Sequence, residues 1–179
     1  GATTTAYTKA PHSLTDDDKQ FRCIVTGDCG VETSDPATLN VQDASGVSNE
    51  IEDAGPNGGD GNGDGIQDSD QPNVTSLPNA NGDYVTLESS AGELSSVGSQ
   101  GNPSLADAPS EANFPAGFFS FGVGGLTPGG TTTVKVYLPA GATVNTYYKF
   151  GPEPGNTTPH WYEFAFDGGP GRGVFRRGC

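Results

Sequence analysis

The sequence predicts an all-β protein: an antiparallel β-sandwich of jelly-roll or immunoglobulin-like type that carries a Gly/Asp-rich calcium loop. Three observations lead there. Short runs alternate in hydropathy with a period of two, the signature of half-buried strands. No stretch of any length shows a helical period. The 28 Gly and 14 Pro punctuate the 179 residues as turns between short strands would, and such strands pack in two layers. One principal domain is the natural count for this length. It is expected at 21–168, with an extended arm at 1–20 and a tail at 169–179.

Strands are expected at Phe21–Thr26, Thr38–Gln42, Tyr84–Ser89, Phe118–Val123, Thr131–Leu138, Thr143–Phe150 and Trp161–Phe166. Thr131–Leu138 alternates well: Thr132, Val134, Val136 and Leu138 face one way, and Thr133, Lys135 and Tyr137 the other. Phe119, Phe121 and Val123 likewise alternate with Phe118, Ser120 and Gly122. Leu126-Thr-Pro-Gly-Gly130 reads as the turn between these two runs. The core is expected to be aromatic, drawn from Phe114, Phe119, Phe121, Val134, Val136, Leu138, Tyr147, Phe150, Trp161, Phe164 and Phe166.

The stretch richest in chemistry is DGNGDGIQDSD, Asp60–Asp70. Oxygen-bearing side chains recur at Asp60, Asn62, Asp64, Asp68 and Asp70, separated by Gly61, Gly63 and Gly65. Alternate carboxylates with glycines between them let a loop curl round a hard cation, and Ca2+ takes about six to eight oxygens. Asp60, Asn62, Asp64, the Ile66 carbonyl and Asp68 fall at positions 1, 3, 5, 7 and 9 of an EF-hand loop, with Gly65 at 6. Position 12 is Gln71 rather than the usual bidentate Glu, and no apolar helices flank the loop. The pattern is therefore closer to free-standing Asp-rich loops of thrombospondin-repeat or dockerin type, with Asp70, Asp53 or Glu52 completing the shell. A solvated acidic linker is the plainer alternative.

Charge favours the cation. The chain has 22 acids against 8 bases, a net charge of -14. No Lys or Arg occurs from Cys23 to Val134. Such a field repels nucleic acid and anionic membranes and attracts divalent cations. No run approaches the roughly 18 apolar residues of a membrane span.

An extracellular location is expected. The chain starts at Gly1 and contains no Met, so GATTTA reads as the end left by signal-peptide cleavage. Cys23 and Cys29, six apart around Gly27, are spaced for a small disulfide loop in an oxidising compartment. A half zinc site is the rival, but no second Cys/His pair completes it. Cys179 is left over, for an interchain bond, an anchor or a reactive thiol. Asn73 and Asn156 head N-glycosylation sequons, and the Thr-rich start could carry O-glycans.

Catalytic signals are sparse. His160, in Pro159-His-Trp-Tyr162, reads first as a structural residue at a strand end, and His12 lies in the arm. No Ser sits in a nucleophile elbow. Glu153 and Glu163 could be imagined as a glycosidase pair. Tyr147, Tyr148, Trp161 and Tyr162 could stack on sugar rings, although aromatics also favour strands for packing alone.

Several of these segments also carry a resemblance. NGGDGNGDGIQDSDQPNVTSLP (Asn57–Pro78), Tyr84-Val-Thr-Leu87, FPAGFFSFGVGGLTPGGTTTVKVYLPAG (Phe114–Gly141) and TYYKFGPEPGNTTPHWYEFAFDG (Thr146–Gly168) resemble, in that order, the bacterial "choice-of-anchor U" domain. The resemblance covers about Glu50–Gly168. It implies a secreted or surface-displayed, non-enzymatic domain and brings Asp60–Asp70 across as a calcium site. Family domains continue past the Trp-Tyr-Glu-Phe segment through another strand or two, whereas this chain stops at GPGRGVFRRGC. A terminal strand would then be missing, leaving a sheet groove for the Thr-rich segment Gly1–His12 of a neighbouring copy. Strand addition of this kind builds head-to-tail filaments. The expected function is a calcium-binding structural subunit of the cell surface or matrix. An adhesive module for carbohydrate is the alternative, and a secreted hydrolase stands third.

Overall fold

The computed structural model describes residues 13–144, 146–153 and 155–164. The arm Gly1–His12, Phe166, Cys179 and the tail from residue 169 lie outside the described residues. The chain divides into two units, residues 1–43 and 44–179, so the expected boundary at residue 20 falls inside the first.

In the first unit a 3-10 turn (Leu14–Asp16) precedes β1 (Gln20–Phe21), which pairs antiparallel with β4 (Ala37–Thr38). Between them β2 (Ile24–Gly27) and β3 (Gly30–Thr33) form a hairpin. Asp28 and Cys29 make the two-residue turn, and Gly30 adopts φ +135°, which a side chain would resist. The strand expected over Phe21–Thr26 is thus broken in two, and only Thr38 of Thr38–Gln42 is in a strand. Every strand residue here is exposed, Ile24 by 55%, Val25 by 61% and Val31 by 60%.

The second unit opens with α1 (Asn49–Asp53) and one irregular turn, α2 (Pro56–Gly59). A 3-10 turn (Asp68–Asp70) follows the acidic loop. Among the described residues seven strands then run in order: β5 (Val74–Pro78), β6 (Tyr84–Ser89), β7 (Glu93–Gln100), β8 (Phe118–Gly124), β9 (Val134–Tyr137), β10 (Tyr148–Glu153) and β11 (Asn156–Glu163). They form one three-stranded sheet, β5-β6-β9, and two hairpins, β7–β8 and β10–β11, all antiparallel. The protein is all-β, as expected, and Tyr84–Ser89 is where the alternation placed it. The β5–β6 hairpin turns on an Asx motif: Asn79 Oδ1 accepts the Asn81 and Asp83 N–H groups at 2.8 and 3.0 Å. In β7 the register slips between Ser95 and Gly98, a bulge in which Ser96 adopts φ +51°.

Register assigns the two faces of the three-stranded sheet. Leu77, Val85, Leu87 and Val136 share the inner face. They join Val47, Leu94 and Val97 in one cluster, with Phe119, Phe121 and Val123 packed half-buried against it. Ser76, Thr86, Glu88, Lys135 and Tyr137 share the outer face. The core is therefore aliphatic rather than aromatic. The fully buried apolar side chains all fall between Val47 and Val97, and every described member of the expected aromatic core is at most half-buried.

Candidate functional site

The acidic loop is built on the outer face of the β5-β6-β9 sheet. Gly61 lies so close that a Cβ there would overlap Thr86 Oγ1 and Ser76 Oγ. Ser76 Oγ bonds both Asp68 and Thr86, and Gly61 N–H donates to the Asp68 carboxylate at 3.1 Å. Ser76, Thr86 and Asp68 are all buried. Small hydroxyls stand where an outward-facing strand residue would meet water, because the loop replaces that water. Tyr84 Oη donates to the Ile51 carbonyl at 2.8 Å and fixes α1 to the same sheet.

Within the loop, backbone amides wrap the first carboxylate. Asp60 accepts from Gly63 (2.8 Å), Asp64 (3.0 Å) and Gly65 (2.9 Å). Asp64 Oδ1 accepts from the Ile66 N–H at 2.9 Å. Positive φ at Gly63 and Gly65, +78° and +91°, makes the curl possible. The Asn62 amide donates to Asp64 Oδ2 (3.1 Å), and the Gln71 amide donates to Asp64 Oδ1 and the Ile66 carbonyl, both at 3.3 Å. Side chains at positions 3, 5 and 12 and the carbonyl at 7 therefore meet in one small space. Their donor chemistry, oxygens only once the two amides are turned, suits a hard cation. No three His, Cys, Asp or Glu side chains among the described residues converge to hold a metal.

Two expected ligands have other work in this arrangement, and a third points to solvent. Asp68 turns inward as the loop's anchor; burial pushes its carboxyl up, against the hydrogen bonds from Ser76 and Gly61. Asp53 Oδ1 accepts from Ser69 Oγ at 2.7 Å, tying α1 to the 3-10 turn. Asp70 is exposed. Glu52, the further carboxylate considered for the shell, is fully buried on α1.

A second feature was legible only in outline. A groove of about 1050 Å3 runs past Phe119, Phe121, Val136, Leu138, Tyr147 and Trp161. Among the described residues β8 pairs only with β7, β9 only with β6 and β10 only with β11, so each contributes an unpaired edge. Trp161 is packed rather than presented: it contacts Phe114, Phe118 and Phe150 at centroid distances of 5.3–5.8 Å, and its Nε1–H donates to the Ser104 carbonyl at 3.0 Å. The β10–β11 register divides the sugar-stacking candidates between two faces. Tyr148 and Trp161 lie on one, Tyr147 and Tyr162 on the other with Lys149, whose amine sits 3.7 Å over the Phe164 ring. They do not form a single platform.

The same register separates Glu153, opposite Asn156 at the turn, from Glu163, opposite Tyr148 at the far end of the hairpin. That is about 16 Å at strand spacing, well beyond a glycosidase pair. His160 is held between the Thr158 carbonyl (2.8 Å) and Glu153 (3.3 Å) at the hairpin surface. The two sequons also part. Asn73 Nδ2 donates to the Ser89 carbonyl and its Thr75 is buried, whereas Asn156 is exposed. Cys23 and Cys29 are free, exposed thiols at opposite ends of β2. The expected disulfide loop does not form, because four strand residues hold the pair apart by about 13 Å or more where a disulfide needs Cα atoms within roughly 7 Å.

No family model matches this chain, and neither a curated protein nor a solved structure is similar to it. Among the described residues no helix is long and apolar enough to cross a membrane.

Proposed function

We propose that this chain is a non-enzymatic structural subunit of the cell exterior, stabilised by Ca2+ at Asp60–Gln71 and assembled by strand addition into a head-to-tail polymer. The observation that carries this reading is the groove, lined by apolar side chains of β8, β9 and β10, strands that among the described residues each have one edge without a strand partner. Exposed edges of this kind are a liability unless something pairs with them, and an added strand supplies both backbone partners and side chains for the floor. The proposed occupant is Gly1–His12 of a neighbouring copy. That segment holds Lys9 and no acid, while residues 13–164 hold all but one of the 22 acids and only four of the 8 bases. The resemblance to choice-of-anchor U domains supports the exterior location and the absence of catalysis. Ca2+ would be held by Asp60, Asn62, Asp64 and the Ile66 carbonyl, with Gln71 at position 12, and would offset the repulsion among the loop carboxylates.

The test is light scattering and negative-stain imaging of the purified chain with Ca2+, with chelator, and after deletion of residues 1–12. Filaments that form in Ca2+ and fail without the arm support the reading. A monodisperse monomer at high concentration in Ca2+ rejects it. A carbohydrate-binding module remains the second reading, on the neighbouring Tyr147 and Tyr162 beside Lys149. Retention on a polysaccharide that Tyr162→Ala abolishes would favour it.

A further inference from the structure

The connection between β3 and β4 carries a chemistry that neither the groove nor the acidic loop uses. Asp35–Pro36 is the one Asp-Pro bond in the sequence. An aspartate carboxylate can close on its own backbone carbonyl as a five-membered ring, and a carboxylate so close acts as a nucleophile without having to be recruited. The bond it attacks is then the one to the next residue. Proline's tertiary amide nitrogen takes up a proton more readily than an ordinary peptide nitrogen, so it is the better leaving group.

Local structure prepares this bond. Ser34, Asp35 and Pro36 are all exposed, and among the described residues the Asp35 carboxylate has no hydrogen-bond or ion-pair partner to hold it back. Ser34 is fixed from the opposite strand: its N–H donates to the Cys23 carbonyl at 2.9 Å, and the Cys23 N–H donates to Ser34 Oγ at 2.9 Å. The Ser34 hydroxyl in turn donates to the Asp35 carbonyl oxygen at 2.9 Å. That oxygen belongs to the bond with Pro36. A donor already seated on it polarises the carbonyl and meets the negative charge that gathers there under attack.

We propose that the folded chain cleaves itself between Asp35 and Pro36, with the Asp35 carboxylate as nucleophile and the Ser34 hydroxyl as oxyanion donor. A carboxylate oxygen bonds to the Asp35 carbonyl carbon, and the carbonyl oxygen takes the electron pair against Ser34. As the carbonyl re-forms, the bond to the Pro36 nitrogen breaks and that nitrogen takes a proton from solvent. Residues 1–35 then end in a cyclic anhydride, which one water opens to two carboxyl groups. The sum is one peptide bond and one water converted to a carboxyl group and an amine, with nothing oxidised or reduced. Afterwards the two pieces are clipped together by the two-residue β1–β4 ladder and its flanking bonds, Asp18 N–H to the Leu39 carbonyl at 3.0 Å and Leu39 N–H to the Lys19 carbonyl at 2.9 Å. So short a pairing is marginal in water, and residues 1–12 leave with the first piece. On the assembly reading above, cleavage produces a subunit that accepts a strand but cannot donate one.

The experiment incubates the full chain in mildly acidic buffer, which supplies the proton, both folded and unfolded in urea, and follows intact mass and the new N-terminus with time. The expected result is two fragments, residues 1–35 and 36–179, together heavier than the chain by one water, with Pro36 newly exposed. The folded chain should cleave about tenfold faster than the unfolded one, less than the hundredfold or more of an enclosed oxyanion hole because Ser34 is exposed. Ser34→Ala should slow the folded chain to the unfolded rate and leave the unfolded rate unchanged. Ser34→Thr, which keeps the hydroxyl, should restore the faster rate, and unaltered circular dichroism of both variants excludes misfolding as the cause. Asp35→Ala should abolish cleavage in both states. An intact chain, a folded rate no greater than the unfolded one, no effect of Ser34→Ala, or a new N-terminus other than Pro36 would each overturn the proposal. Mass reports the cleavage whether or not filaments form, so its failure and that of the assembly reading are separately visible.

Discussion

Residues 44–97 and residues 98–164 belong to one unit but finish their burial differently. The first stretch contains every buried apolar side chain among the described residues, from Val47 to Val97. The second contains most of the aromatic residues and none that is fully buried. The difference lies in what covers each sheet. In the first stretch α1 and the acidic loop lie on the outer face of β5 and β6, while β7 closes the inner face, so short aliphatic side chains suffice. In the second, Phe118, Phe150 and Trp161 pack on one another and leave a groove beside unpaired edges. The first half buries its apolar side chains, and the second leaves a groove lined by half-buried ones.

The largest expected effect tests that contrast directly. Leu87 is fully buried in the aliphatic cluster, and Leu87→Ala should cost about 2–5 kcal/mol in urea denaturation of the isolated chain. Phe121→Ala removes a larger side chain from the half-buried floor of the groove and should cost less than about 2 kcal/mol, while assembly suffers more. Equal losses of stability from both substitutions would mean that the second half is packed as tightly as the first.

Next comes the cation. If Ca2+ holds the loop, its presence at about a hundred times the dissociation constant should stabilise the chain by roughly 2.7 kcal/mol, read as a rise in melting temperature over the chelated protein. Asp60→Asn should erase most of that rise. An unchanged melting temperature with Ca2+ would remove the ion from the account, leaving the loop's own hydrogen bonds as its support.

Gly61→Ala should cost about 1–3 kcal/mol. Its Cβ would meet Thr86 and Ser76, lifting the loop off the sheet. Gly63→Ala meets no atom, since nothing lies within 4 Å, but forces a side chain to φ +78° and should cost about 1 kcal/mol. If the two cost the same, the close approach of loop to sheet is not what holds the first half together.

How much of this could be read from the sequence differs between the halves for a physical reason. Tyr84–Ser89 and Phe118–Val123 were visible because one face of each strand is apolar and the period of two survives. Val74–Pro78 was not, because Ser76 and Thr75 are buried too, one beneath the loop, and burial on both faces removes the alternation. Glu93–Gln100 hid behind its Ser and Gly residues and its bulge. The oxygen spacing of Asp60–Asp68 was legible as a local pattern. The inward turn of Asp68 was not, because it depends on Ser76 and Thr86 from two later strands. The core was misjudged because bulk was taken as a sign of burial. The small disulfide was misjudged because sequence spacing says nothing of a strand lying between two cysteines.

The smallest effect concerns the joint between the two halves. β9 belongs to the second stretch by sequence but is bonded to β6 of the first, and Lys135 stands directly opposite Glu88. Lys135 Nζ contacts both Glu88 oxygens at 2.8 and 3.0 Å, and the Tyr137 hydroxyl donates to the same carboxylate. Burial alone would raise the Glu88 carboxyl, but the hydrogen bonds from Lys135 and Tyr137 outweigh it and hold it below its ordinary value of 4.5. Its bond to Glu88 in turn raises the Lys135 amine above 10.5. The carboxylate's contribution is therefore full above pH 4.5 and is lost as pH falls through the lowered value. The amine's is full below 10.5 and is lost as pH rises through the raised one. Lys135 is 39% exposed on its side chain, so screening limits the pair, and Lys135→Met should cost only about 0.2–1 kcal/mol near neutral pH. That cost should shrink in acid, where Glu88 is protonated in both proteins. A cost that stayed constant down to pH 2 would show that the lysine stem, packed along β9, and not its charge, holds the second half to the first.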